Sequence, residues 1–221
     1  MQRHRPLWLL LTVLLAITLA SCTTAKPPED TEEPLVRQRV EAPPTQVQPT
    51  PEEAEEIIAD RAMATLEIIK NRDFAALAEV AHPSGVRFSP YGHVNTGEGG
   101  DLVFSPEQIA VFGTDETRYT WGSYDGTGFP IELTPREYFD EFVYTADFVN
   151  AETVSYNEIA HSGNTLENQF EVYPNAIIVE YHFSGFDPQY EGLDWQSLRL
   201  AFEEHQGTWY LVGVIHNQWT I

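Results

Sequence analysis

The sequence predicts an α+β domain in which helices pack on one face of a curved antiparallel sheet. Three observations carry that reading. Apolar residues recur at helical spacing where the domain opens, near residue 52. The last third alternates apolar and polar residues as strands do. Short helices with capping boxes interrupt the strands between these two regions.

Glu52 to Lys70 reads as the first helix. Ile58, Ala62, Thr65, Leu66 and Ile69 fall on one stripe, while Glu55, Glu56, Asp60 and Glu67 take other faces. Asn71-Arg72-Asp73 breaks it, and Asp73 caps a shorter helix with Phe74 and Leu77 apolar. His82-Pro83 ends that helix, because a residue before proline avoids the α region. Val86 and Phe88 then enter a short strand, with Arg87 pointing the other way. Pro90 to Asp101 is a loop, and residues 102–104 are a second extended piece. Ser105-Pro106-Glu107-Gln108 and Thr134-Pro135-Arg136-Glu137 are capping boxes with proline at the first helical position. They start helices that run through Phe112 and Val143. Between them, Tyr119 and Trp121 alternate with Arg118 and Thr120 in a strand.

The remaining signals are all of strands. Val154 and Tyr156 share a face, but Ile159 breaks the parity, which predicts a bulge near Asn157. Ile177, Val179, Tyr181 and Phe183 lie opposite Glu180 and His182. Leu198, Leu200 and Phe202 point inward, with Arg199 and Glu203 outward. Residues 208–219 are apolar on both faces, so this strand needs cover on both sides. Gln206-Gly207 makes the hairpin before it.

The amino terminus has a different character. Arg3, His4 and Arg5 precede an apolar run from Leu7 to Leu19, the order of a secretory signal over residues 1–21. The run is short for a membrane-spanning helix. Leu19-Ala20-Ser21-Cys22 resembles the lipobox of bacterial lipoproteins. That resemblance implies cleavage before Cys22 and lipidation of its thiol and new amino group, palmitate being one such chain. The protein would then sit in the bacterial cell envelope, lipid-anchored and extracytoplasmic. An uncleaved signal anchor, or a secreted chain with a chance cysteine, is the other reading of the segment. Residues 22–51 are rich in Pro, Glu, Thr and Gln and read as a semi-extended disordered tether, leaving 52–221 as a single domain.

Composition excludes several functions. With 34 acidic against 12 basic residues the formal charge is −22, which repels nucleic acid. Cys22 is the only cysteine, so the domain holds no intramolecular disulfide, no cysteine zinc site and no Cys–His nucleophile. His82, His93, His161, His182, His205 and His216 stand singly, without the HxH or HxxxH spacing of a metal site. Asn95, Glu98 and Asp101 share one acidic loop, and Asp187, Glu191 and Asp194 another. Neither has the alternating ligands of a calcium loop. No phosphate loop, dinucleotide fingerprint or Gly-x-Ser-x-Gly appears, so neither metal nor cofactor is expected.

The opening helix pair, with Asn71-Arg72-Asp73-Phe74 running on to His82-Pro83, resembles the nuclear transport factor 2-like superfamily, which includes SnoaL-like proteins. So does the closing hairpin with Gly207-x-Trp209-x-Leu211-Val212. A cystatin-type fold fits the same element order. The resemblance implies a cone-like domain with a pocket between helices and sheet, often dimeric, in a family that holds both enzymes and non-catalytic binders. Its enzymes pair a carboxylate base with an oxyanion donor. By residue type alone Asp101, Asp125, Tyr91, Tyr119 and His216 qualify here, but no catalytic set matches by position. The function expected is therefore non-catalytic binding of a small apolar ligand or a protein partner. The candidate ligand-binding residues are Tyr91, His93, Tyr119, Trp121 and His216. The alternative is an isomerase, cyclase or hydrolase using a pocket carboxylate or histidine. Glu180, His182 and Arg199 share a face with Tyr210, Val212 and Val214. This apolar patch ringed by charge predicts homodimerisation, or docking of a partner, through the outer sheet face.

Overall fold

The structure, a computed structural model, describes residues 48–220; the signal segment, Cys22 and most of the tether lie outside the described residues. The first helix, α1 (Pro51–Asn71), starts one residue before the expected point. Thr50 caps it, accepting from the Glu53 amide while the Glu53 carboxylate accepts from the Thr50 N–H at 2.9 Å. Arg72 ends it in the left-handed region (φ 52°). Asp73 then caps α2 (Phe74–Val80), accepting from the Ala76 N–H at 3.0 Å. No helix among the described residues is long and apolar enough to cross a membrane.

Six strands form the main sheet: β1 (Val86–Ser89), β2 (Leu102–Phe104), β5 (Thr153–Tyr156), β6 (Ile177–Phe183), β7 (Gln196–His205) and β8 (Thr208–Gln218). Their spatial order is β2-β1-β8-β7-β6-β5. Every neighbouring pair is antiparallel except β1 with β8, which run parallel. A separate hairpin joins β3 (Tyr119–Ser123) to β4 (Pro130–Leu133). The sequence reading has no β4. It buries Ile131 and Leu133 and exposes Glu132, but its alternation is too short to stand out beside Pro130.

The helices cover one face of this sheet, as expected. Along α1, Ala54, Ile58, Ala62, Leu66 and Ile69 are fully buried against it. The two later capping boxes both form. From Ser105, α3 (Pro106–Ala110) continues only as turns to Phe112. From Thr134, α4 (Pro135–Tyr138) passes into a π-helical turn, Phe139–Val143, packed on β8. Phe88, Phe104, Phe112, Trp121, Tyr138 and Phe139 fill the space between these helices and the sheet. The rings meet mostly edge to face, which suits their quadrupoles, and Trp121 stacks on Tyr138 at 3.8 Å.

Three expectations are corrected. Asn157 does not bulge a longer strand: it takes φ 51° and ends β5. There it exchanges hydrogen bonds with Ile178 through its own N–H and side-chain oxygen, and Ile159 is left exposed. Strict alternation along β8 also fails. Leu200 faces Val214, Ala201 faces Gly213 and Phe202 faces Leu211, so Val212 is an extra residue with no partner opposite. Beyond this bulge the parity inverts. Val214 and His216 face the helices, while Tyr210 and Val212 remain on the outer side. Finally, Val212 and Val214 are not exposed, so the patch expected as a dimer surface does not form from them. Residues 157–176, including α5 (Gln169–Val172), fold back over the outer face. Tyr173, Ala176, Phe170 and Val172 pack there on Ile178, Ala201, Val212 and Ile215.

The cross-strand charged set exists, but under this cover rather than in solvent. Arg199 Nη2 reaches Glu180 at 3.1 Å, Glu167 at 3.0 Å and the His161 carbonyl at 3.1 Å. Arg199 is 1% exposed, Glu180 0% and Glu167 5%. His182 bonds Ser197 at 2.9 Å and stacks on His161. In this dry setting removal of one charge leaves the others uncompensated. Arg199→Met should lower unfolding free energy by about 3–5 kcal/mol. The measurement is urea denaturation, read as a lower midpoint at unchanged slope.

Candidate functional site

β1 ends at Ser89, and the chain then wraps through residues 90–101 before pairing again as β2. The wrap is tight. The Asp101 N–H donates to the Asn95 carbonyl at 2.8 Å, and a Cβ at Gly100 would run into that carbonyl. Arg87 fastens the end from below, donating from Nη1 to the Asp101 carbonyl at 2.8 Å. Opposite stands the β3–β4 turn, Tyr124 to Gly128, closed by a Gly128 N–H to Tyr124 carbonyl bond at 2.8 Å.

Between loop and turn lies an open cavity of about 800 Å³, walled by Tyr91, His93, Asn95, Asp101, Tyr124 and Asp125 together with small turn residues. Asp101 is the most constrained of these. Its Oδ2 accepts from the Ser89 hydroxyl at 2.5 Å and from the Asn95 N–H at 2.9 Å. Burial raises its carboxyl pKa above the usual range, against the pull of those two donors and of Arg87 and His93. Tyr91 is half-buried, its ring edge-on to Phe142, and its hydroxyl accepts from the Asp125 N–H at 3.1 Å. Burial raises the Tyr91 phenol too. The Tyr124 phenol is pushed up to about 12, by desolvation first and then by the Glu141 carboxylate. His93 Nδ1 lies 3.0 Å from the Leu166 carbonyl. A carbonyl only accepts, so that nitrogen carries the proton and Nε2 is the free acceptor of the neutral ring.

Two of the five expected ligand-binding residues, Tyr91 and His93, line this cavity. The other three do not. Tyr119 bonds Asp115 at 2.9 Å and packs on Phe104. Trp121 is fully buried, with its indole N–H on the Leu133 carbonyl at 2.9 Å. His216 is fully buried beside Phe142. Of the acid–base types, Asp101, Asp125 and Tyr91 converge, whereas Tyr119 packs half-buried against the core and His216 lies within it. Tyr124 and the Ser89 hydroxyl escaped the sequence reading. Tyr124 sits between a short strand and an Asp-Gly turn, where no periodicity marks it. Ser89 is a strand-end residue whose role depends on a partner twelve positions away.

Neither acidic loop gathers a metal site. Asp194 Oδ2 accepts from the Phe186 and Asp187 N–H groups at 3.0 and 2.7 Å, so it pins its own loop. Among the described residues no group of three or more His, Cys, Asp or Glu converges as cation ligands do.

No family model matches the chain, and no curated protein matches it. Two solved structures are similar to it. One is Rd1NTF2_05 with five substitutions, at 14% identity, a TM-score of 0.32, and coverage of 74% of this chain and 99% of that one. The other is Aln2 from a Streptomyces species, at 13% identity, a TM-score of 0.36, and coverage of 78% and 94%. Both likenesses are distant. The class of protein, an α+β domain of helices on a curved, mostly antiparallel sheet, is defined by its own strands and helices.

His216 generates a pH prediction. Burial lowers its pKa to about 4, from 6.5. The unfolded chain then takes up a proton at higher pH than the folded one, so this stability is present above the unfolded pKa and is lost as pH falls toward the folded value. The loss amounts to about 3 kcal/mol at most. In thermal melts across that range, His216→Phe should show a shallower fall of Tm with acid than the parent.

Proposed function

We propose that the chain is a lipid-anchored, extracytoplasmic binding protein whose nuclear transport factor 2-like domain holds a small molecule bearing amine or hydroxyl groups. One observation carries the choice of ligand. Among the described residues the cavity wall holds Asp101, Asp125 and Asn95 beside the Tyr91 and Tyr124 rings, and no Lys or Arg. Such a wall accepts hydrogen bonds and attracts cations, and its rings offer flat apolar faces. An apolar ligand, the kind expected from sequence, would leave these acceptors unpaired. The volume falls within the usual range for small-molecule sites, roughly 300–1,000 Å³. The lipobox-like Leu19-Ala20-Ser21-Cys22 supports the anchor, and the Pro- and Glu-rich residues 22–51 supply its tether.

A second reading has its own observation. Asp101, with its raised pKa, shares the cavity with His93, which is the pairing that acid–base catalysis uses. Binding is preferred because Asp101 Oδ2 already carries two donors and His93 Nδ1 is committed to Leu166.

Asp101→Asn tests the site. The amide oxygen can still accept from Ser89 and Asn95, so the fold survives. A carboxyl with raised folded pKa stabilises below its unfolded pKa and loses that contribution as pH rises through the folded one. The variant should therefore melt at neutral pH no lower than the parent. In a thermal-shift panel of amino sugars, polyols and matched carboxylates, the parent should respond to the first two. Asp101→Asn should weaken the amines by about tenfold or more, the scale of one charged hydrogen bond. A response to carboxylates alone overturns the reading. Cys22→Ala should move the protein from the membrane to the soluble fraction, and an unchanged partition overturns the anchor.

A further inference from the structure

The outer face of the sheet carries a second cavity, of about 370 Å³, between β1, β7, β8 and the end of α5. That is the space of about a dozen waters at ~30 Å³ each. Its wall combines one cation, Arg87, one anion, Glu203, and three aliphatic side chains, Val103, Val172 and Val212. Tyr173, His82, Ser84 and Thr96 line it too. Tyr173 is 6% exposed, and among the described residues its hydroxyl meets no partner at full hydrogen-bond geometry, the Arg87 guanidinium being the cation beside it. The hydroxyl reaches down to the β8 backbone: a Cβ on Gly213 would lie 2.7 Å from it. Burial pushes the phenol pKa up, with Arg87 opposing and Asp101 and Glu203 adding. A buried hydroxyl left without full hydrogen-bond geometry, in the wall of a pocket that also holds a guanidinium and a carboxylate, is unusual, since buried polar groups are nearly always paired.

We propose that this cavity binds a free α-amino acid with an aliphatic side chain. The ligand carboxylate takes Arg87 and the Tyr173 hydroxyl, its ammonium takes Glu203, and its side chain lies on the three valines. Arg87 is held in place for this, its Nη1 donating to the Asp101 and Asn95 carbonyls at 2.8 and 3.4 Å. Glu203 opposes multiply charged anions, which separates the site from one for phosphates. The site lies on the other face of the sheet from the core-facing side of β8 and does not depend on the ligand proposed for the first cavity.

Isothermal titration of the full chain with L-leucine, isocaproate (no amine), isoamylamine (no carboxylate) and inorganic phosphate tests it. L-Leucine should bind saturably, and each of the other three about tenfold or more weaker, the loss of one charged hydrogen bond. Tyr173→Phe removes only the hydroxyl and should weaken L-leucine about tenfold by the same measure. Glu203→Gln should abolish the preference for L-leucine over isocaproate. Circular dichroism of both variants should match the parent, so that lost binding is not lost fold. No saturable L-leucine binding, equal binding of isocaproate, tighter binding of phosphate, or two variants that bind like the parent would each overturn the proposal.

Discussion

The burial of β8 on both faces is the constraint on which the rest of the domain depends. Residues Leu211 to Asn217 are all buried, between β1 and β7 and between two layers of side chains. A strand in that position must satisfy its ladder on both edges and find apolar partners above and below. The extra residue at Val212 decides how it does so. It sends Leu211, Val214 and His216 to the helical side and Val212, Gly213 and Ile215 to the other. A Gly at the first outward position after the bulge lets the Tyr173 hydroxyl approach the backbone. A histidine at the inward end is carried into a dry aromatic setting that holds it neutral.

Two different kinds of cover answer the demand of that strand. On the inner side the solution is apolar: α1, α2 and the aromatic cluster around Phe88 and Trp121 pack as a close-fitting core. On the outer side it is mixed. The returning segment 157–176 lays a few apolar side chains on the middle of the sheet. At the β6–β7 side its Glu167 joins Arg199 and Glu180 of the sheet, away from water. A buried charge set of this kind adds little net stability compared with an apolar one, but it sets the position of the segment, since any slip leaves a charge unpaired.

Arg87 links the two cavities physically. Its strand places it on the outer face, where it lines the smaller cavity. Its guanidinium meanwhile binds carbonyls of the 90–101 wrap, at whose end Asp101 faces the larger one. Asp101 is held there by short-range chemistry: a strand-end serine, a backbone amide and a glycine that lets the loop close. The stretch Ala81 to Val94 therefore contributes structure at most of its residues. His82 accepts from the Ser84 N–H, Phe88 fills the core, and Pro90, Tyr91 and His93 line the larger cavity.

The sequence by itself determined the elements whose information is local. Both opening helices, both later capping boxes, the hairpin at Gln206-Gly207 and the inward sets on β6 and β7 follow from spacing and caps, because a helix stripe or a strand alternation is written in consecutive residues. So does the need of β8 for two covered faces. Tertiary structure alone decided what covered them, where the parity of β8 inverts, and which polar residues meet. Asp101 joins Tyr91, His93 and Tyr124 only because a loop and a hairpin turn, over twenty residues apart in the chain, close on one space. Trp121 and His216, read as pocket residues from their chemistry, are core because a bulge and a ring of neighbouring aromatics fix their direction. A single added residue reverses every side chain beyond it, and no run of apolar and polar letters records on which strand that residue is absorbed.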